Sequence, residues 1–329
     1  ATARDQLAGS GTTSAALASG GREPALNGAT EEFTRSTNAI TAAAWSAGGT
    51  LNNARLALGG FGIQTAGVAC GGIFPPVSIG MTNTENYNGS SWTNSGALNT
   101  GRRYLSGAAG TQTSGLAFGG FDTSPGATAA TEEYDGSSWT AGGNLNSARG
   151  NIAGSGTQTA GLGAGGTGRV AVSEEYNGTS WSEGNDLNTA RASAASSSNG
   201  VQTASLCFGG SHLPGQFTNA TESYDGTSWT NVNSMNRSVE SAGGSGTQAA
   251  ALNFGGYDGT SLVTSSESWD GTSWVTSPSL GSAKNQIGAA GLQTSALSAG
   301  GSLSTGGTNQ TEEFTGETSA LNIKTLTTS

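Results

Sequence analysis

The sequence is short of almost everything that enzymes and membrane proteins are recognised by. It has one histidine, two cysteines, six prolines and two methionines in 329 residues, and only 10% of its residues are charged. With His212 alone, a three-histidine metal site or a histidine-rich copper site is excluded. Cys70 and Cys207 are too few for a disulfide framework or a zinc cluster, so buried free thiols are expected and no cofactor or metal is assigned. No Gly-x-Ser-x-Gly elbow, phosphate loop or EF-hand loop occurs. No run approaches the roughly 18 apolar residues of a spanning helix, so membrane insertion is not expected. A net charge of −10 argues against a nucleic-acid partner, which needs a basic face. The start, Ala1-Thr2-Ala3-Arg4, has neither an initiator Met nor an apolar signal core, which suggests a processed chain or a fragment.

What is abundant is glycine, 56 residues, about one in six against a usual ~7%. Low-complexity disorder is the first expectation from such a composition, and it fails because the glycines recur at fixed positions. Paired glycines follow a short apolar stretch at Gly20-Gly21, Gly71-Gly72, Gly119-Gly120, Gly165-Gly166, Gly209-Gly210, Gly255-Gly256 and Gly300-Gly301. An acid–aromatic step follows each pair, as in Glu85-Asn86-Tyr87, Glu133-Tyr134 and Glu313-Phe314. Five residues later comes Trp92, Trp139, Trp181, Trp229 or Trp274. The first unit delays its Trp to Trp45, and the last has Ser319 where Trp is expected. Each unit reads as a four-stranded antiparallel meander. Asn88-Gly89, Asp135-Gly136, Asn177-Gly178, Asp225-Gly226 and Asp270-Gly271 read as type I′ hairpin turns.

Such a sheet buries both faces only by radial repetition. The pattern therefore predicts an all-β, seven-bladed β-propeller filling 1–329, with blades near 1–51, 52–98, 99–145, 146–187, 188–235, 236–280 and 281–329. Small residues (Ala108-Ala109-Gly110, Ile152-Ala153-Gly154) should crowd the axis, and Tyr and Trp should fill the wider outer gaps. The ends meet without an obvious strand exchange, so residues 318–328 are expected as the outer strand of the last blade.

The order of Arg, small-residue strand, Gly-Gly, acid-Tyr, Asp/Asn-Gly, Trp and Leu resembles the kelch repeat. That resemblance implies the propeller of galactose-oxidase-like domains, although a copper centre of that type is absent here. The segment Thr131-Glu132-Glu133-Tyr134-Asp135-Gly136-Ser137-Ser138-Trp139, with Gly110-Thr111-Gln112-Thr113, also resembles kelch-like repeats of marine phage virion proteins. This second resemblance implies a virion or extracellular location.

A basic slot recurs at Arg4, Arg55, Arg103 (with Arg102 adjacent), Arg149, Arg191 and Lys284, with Val239 in its place once. An acid slot recurs at Glu32, Glu85, Glu133, Glu175, Glu222, Glu267 and Glu313. Recurrence in every unit favours structural ion pairs over a catalytic ring, and Arg55, Arg149, Arg191, Lys284, Glu85, Glu133, Glu175 and Glu267 are assigned to them. The recurring Trp residues are read as packing between blades before sugar stacking. The five Asn-x-Ser/Thr sequons are attributed to chance in a chain rich in these residues.

The connections from strand two to strand three vary between units and lie on one face, the usual place for a binding surface. Candidate binding residues there are Phe74, Met81, Phe121, Asp122, His212, Phe217, Tyr257 and Asp258, with Pro75, Pro76 and Leu213 beside them. The expected function is a non-enzymatic structural or binding module that holds another virion protein or a host-surface glycan or receptor, with homo-oligomers possible. The alternatives are a glycan hydrolase or lyase, needing paired carboxylates at the channel mouth, and an intracellular kelch-type adaptor.

Overall fold

The computed structural model describes residues 8–11, 15–20, 22–23, 25–26, 30–34, 38–74, 79–105, 107–122 and 126–321. Two compact units are present, one of residues 43–316 and one formed by 1–42 together with 317–329.

The larger unit is a β-propeller of six blades, which corrects the expected seven. Five blades are consecutive in sequence. The first runs Gly59–Ile63, Ala66–Cys70, Thr84–Tyr87 and Trp92–Ser95. The fifth runs Gly243–Gly246, Ala251–Phe254, Ser266–Trp269 and Trp274–Ser277. The sixth has only three strands of its own, Gly288–Leu292, Ser295–Ala299 and Thr311–Thr315. Its outer strand is Ala44–Ala47, from before the first blade, with Phe314 opposite Trp45.

The late Trp45 and the missing Trp at Ser319 are thus one fact. Trp45 occupies the slot that Ser319 leaves empty. Residues 318–328 are not the outer strand of a blade; Thr318–Leu321 pairs instead with Asn38–Thr41, and residues from 322 onward lie outside the described residues. In the smaller unit Ala8–Gly11, Ala15–Ser19 and Thr30–Thr34 form a three-stranded sheet. It is the start of a seventh repeat whose Trp-bearing strand has gone to the ring. Arg4 and the side chain of Glu32 lie outside the described residues.

Six apolar clusters hold the blades, one per interface. Between the first and second blades, for example, lie Phe61, Val68, Cys70, Ala108, Ala117, Tyr134 and Trp139. Each blade's Trp stacks on the aromatic that closes its own third strand, as in Tyr134–Trp139 at 4.8 Å. Its indole N–H also reaches back to the Ser or Thr that opens the third strand of the preceding blade. Trp92 donates to Thr311, Trp139 to Thr84, Trp181 to Thr131 and Trp229 to Ser173, each at 2.9 Å, and Trp274 to Thr221 at 3.0 Å. Trp45 completes the circle with Ser266 at 3.3 Å. The Gln of each Gly-x-Gln turn stitches neighbours in the same direction: Gln64 donates to Phe314 O and Gln112 to Tyr87 O, both at 2.8 Å.

The axis is as crowded as expected. A Cβ on Gly60 would stand 2.6 Å from Ala289 N, and one on Gly244 would stand 2.4 Å from Ser196 O. The Asp/Asn-Gly turns differ from the type I′ expectation. Only the glycine has positive φ, and the loop has four residues closed by the Asx side chain. Asp135 Oδ1 accepts from Ser137 N at 2.8 Å and Ser138 N at 2.7 Å, and Asn88, Asn177, Asp225 and Asp270 do the same. These N–H donors hold the carboxyls of Asp135, Asp225 and Asp270 below the usual range.

Trp45→Ala should lower stability by about 3 kcal/mol, while Ser319→Trp should leave the urea midpoint unchanged. Because the three turn aspartates have depressed pKa values, their contribution is complete above about pH 4 and fades as pH falls through the folded values. Replacing all three with Asn, the residue already used at Asn88 and Asn177, should flatten the acid limb of a stability–pH curve below pH 4 and leave pH 7 little changed.

Candidate functional site

The face from which the strand two-to-three connections emerge is built on the buried ions of each blade. Arg55 is wholly buried and donates to Glu85 at 3.0 Å and to the carbonyls of Ala69, Gly71 and Asn83. The same Glu85 accepts from Asn52 N at 2.7 Å and Asn52 Nδ2 at 2.8 Å. The guanidinium thereby fixes the end of strand two, the Gly-Gly step and the entry to strand three within one blade. Desolvation lowers the pKa of Arg55 and Arg102, and the paired glutamates oppose that shift.

The equivalent pairs are Arg102–Glu132, Arg149–Glu174, Arg191–Glu222 and Lys284–Glu312. This differs from the expected assignment at several positions. The buried cation of the second blade is Arg102; Arg103 points to the loop face and donates to Asp122 O at 2.9 Å. Where two glutamates adjoin, the first faces the cation and the second faces the next blade, because neighbours on a strand point to opposite faces. Glu133, Glu175 and Glu313 accept from the hydroxyls of Tyr176, Tyr224 and Tyr87 at 2.6, 2.6 and 2.5 Å. Burial and the carboxylate push the Tyr87 and Tyr176 hydroxyls up to about 12. In the fifth blade Val239 leaves Glu267 without a cation, and the carboxylate accepts three N–H bonds, from Asn236 N, Asn236 Nδ2 and Arg237 N.

Two residues after each cation slot the chain enters the left-handed region without glycine. The residues are Ala57, Tyr104, Asn151, Ser193, Ser241 and Gln286, with φ between 50° and 56°. They form a closed belt of backbone hydrogen bonds around the axis. Ala57 N donates to Gln286 O at 3.0 Å, Gln286 N to Ser241 O at 2.8 Å, and Ser241 N to Ser193 O at 2.8 Å. Ser193 N then donates to Asn151 O at 3.1 Å, Asn151 N to Tyr104 O at 3.1 Å, and Leu105 N back to Ala57 O at 3.3 Å. This belt rims a cavity of about 40 Å³. A second cavity of about 40 Å³ along the axis shares Leu58, Ala194, Ala242 and Ile287 with it and is otherwise lined by Gly, Ala and Ser. No carboxylate lines either cavity.

Just outside the belt the connecting loops begin. Arg103 pairs with Phe121, Ala192 with Ser211, and Glu240 with Tyr257 in isolated bridges. The candidate residues fall into groups rather than one site. Phe121 meets Tyr104 edge-on at 5.7 Å and lies beneath the Arg103 guanidinium at 5.8 Å. Phe217 and Tyr257, from neighbouring blades, meet edge-on at 5.7 Å.

Asp258 is committed to an Asx turn on Thr260 N and Ser261 N and to an ion pair with Arg237 at 2.5 Å, which together hold its carboxyl down at about 2. His212 is half-buried on the short hairpin of Ser211–Leu213 and Gln216–Phe217, and its Nδ1 is buried without a hydrogen-bond partner. Phe74 is about half exposed and Met81 less so. Pro75 and Pro76 lie outside the described residues. Cys70 and Cys207 are buried free thiols, with burial pushing them up to about 12 and about 11. Among the described residues no group of three His, Cys, Asp or Glu could hold a metal ion.

The belt was missed from sequence. Its one signal was a position in constant phase whose identity changes from unit to unit.

No protein-family model matches the chain, and no curated protein matches it.

The two adjacent arginines give a direct check on this arrangement. Arg102→Ala strands Glu132 in the interior and should cost about 3–5 kcal/mol. Arg103→Ala loses a carbonyl contact and a cation–π contact and should cost about 1 kcal/mol or less. Urea unfolding of the two single variants measures the difference.

Proposed function

We propose that the ring is a kelch-like, non-enzymatic binding module of a phage virion that holds a partner protein or a host-surface glycan on its loop face. The observation that carries this reading is the asymmetry of the two faces. The Gly-x-Gln and Asx-Gly turns on one face are nearly identical from blade to blade, the Gln side chains spent on the preceding blade and the Asx side chains on their own turn. The connections on the other face range from 8 residues (165–172) to 13 (71–83), differ in residue type from blade to blade and surround the channel mouth. A surface freed from structural duty is where partner-specific residues collect. The kelch-like order of residues and its likeness to virion repeats supply the setting. A hydrolytic reading has less support, because the buried glutamates are held by cations or N–H donors and none lines the channel.

The reading is tested with the triple variant Phe74→Ala, Phe121→Ala and Tyr257→Ala. It should unfold within a few degrees of the parent and lose adhesion to host cells at least tenfold. Asp135→Asn on the opposite face should adhere like the parent. Adhesion that survives the triple variant overturns the reading.

A further inference from the structure

We propose that the belt of left-handed residues at the channel mouth is a subsite for the end of a neutral saccharide, with one hydroxyl-bearing arm entering the cavity. The inference rests on reading the loop face as the binding surface and gives that surface its ligand class.

Backbone strain is the first observation. Glycine takes positive φ in the paired-glycine steps and Asx-Gly turns of this chain, yet none of the six belt positions is glycine and five of them, all but Ala57, carry polar side chains. A left-handed conformation is strained for a residue with a Cβ and free for glycine. The backbone bonds of the belt need only the main chain, so glycine would close it without that cost. Strain kept where a cheaper residue would serve the fold points to a use for the side chain.

The second observation is independent. Asn52, Gln64, Gln112, Trp92 and Tyr87 all spend their polar atoms on the fold. Among the described residues no side-chain hydrogen bond is made by Tyr104, Asn151, Ser193, Ser241 or Gln286. All five line the same cavity. Residues with polar side chains from five successive blades, the second to the sixth, thus border one small space, and these side chains are not spent on the fold.

Their chemistry selects the ligand. Two carboxamides and two aliphatic hydroxyls each donate and accept, as sugar hydroxyls do. No ionised group lines the cavity, so a charged ligand would lose its hydration without a counter-charge. The Tyr104 ring, set edge-on to Phe121, supplies a fixed aromatic wall. The cavity of about 40 Å³ holds roughly three water molecules at most. It therefore takes a hydroxymethyl-sized arm rather than a whole pyranose, and the rest of the ligand lies over the belt against the loops.

The test replaces Asn151, Ser193 and Ser241 together with glycine, which removes the side chains and relieves the strain. Ligand-observed NMR with neutral monosaccharides (glucose, galactose, mannose, N-acetylglucosamine) and with glucuronate as the charged control measures binding, and thermal unfolding measures the fold. The parent should bind at least one neutral sugar and bind glucuronate at least tenfold more weakly. The glycine variant should bind that sugar at least tenfold more weakly while melting at the same or a higher temperature. Equal binding by parent and glycine variant overturns the subsite, as does a parent that binds no neutral sugar or prefers glucuronate. Should the subsite fail while Phe74→Ala, Phe121→Ala and Tyr257→Ala still abolishes adhesion, the loop-face reading stands alone. Should the triple loop variant adhere normally, that reading fails whatever the sugars do.

Discussion

The structure depends on one strand pairing, Phe314 against Trp45. Every other blade makes its Tyr–Trp or Trp–Trp pair within one continuous segment; the sixth makes it across 269 residues of chain. The pair does two jobs at once. It completes the sixth sheet, and it places an indole against Phe254 of the fifth blade at 4.9 Å with its N–H on Ser266. A ring of blades has no stable open form that keeps all its apolar clusters dry, since opening exposes two blade faces together. Taking the closing strand from the far end of the segment joins first and last blades covalently as well as by packing.

Around that closure the same parts are reused with strict division of labour. Arg or Lys and the first Glu work inside a blade, the second Glu and Tyr between blades, and Gln, Trp and Thr between blades again. The result accounts for a chain with so little charge. Buried pairs are expensive to desolvate and specify geometry more than they add stability, and here the four buried arginines each fix the Gly-Gly step from which a loop departs. The fifth blade shows the arrangement tolerating loss of the cation, with N–H donors on Glu267 in its place.

The axial cavity is walled almost wholly by Gly, Ala and Ser and carries no ionisable group. The mouth differs, because there the chain leaves its economical use of glycine. The strained belt and the variable loops are concentric, with Tyr104 and Phe121 touching across the boundary. Inner belt and outer loops therefore form one continuous surface.

The sequence by itself determined the blade. Gly-Gly steps, the acid–aromatic pair and the Trp five residues on are local signals. They dictate strands and turns through φ preference and alternation, whatever the ring's size. It also held the two anomalies, the delayed Trp45 and the Trp-less Ser319, without showing that they answered each other. Only the tertiary structure decided the blade number, because closure depends on the wedge angle set by packing between blades, and that angle appears in no single repeat. It decided which of two adjacent glutamates, and which of Arg102 and Arg103, turned inward, since strand register and not residue type sets the facing. The mouth belt was likewise invisible: its left-handed backbone is imposed by bonds between blades, and residues of ordinary type give no local sign of it.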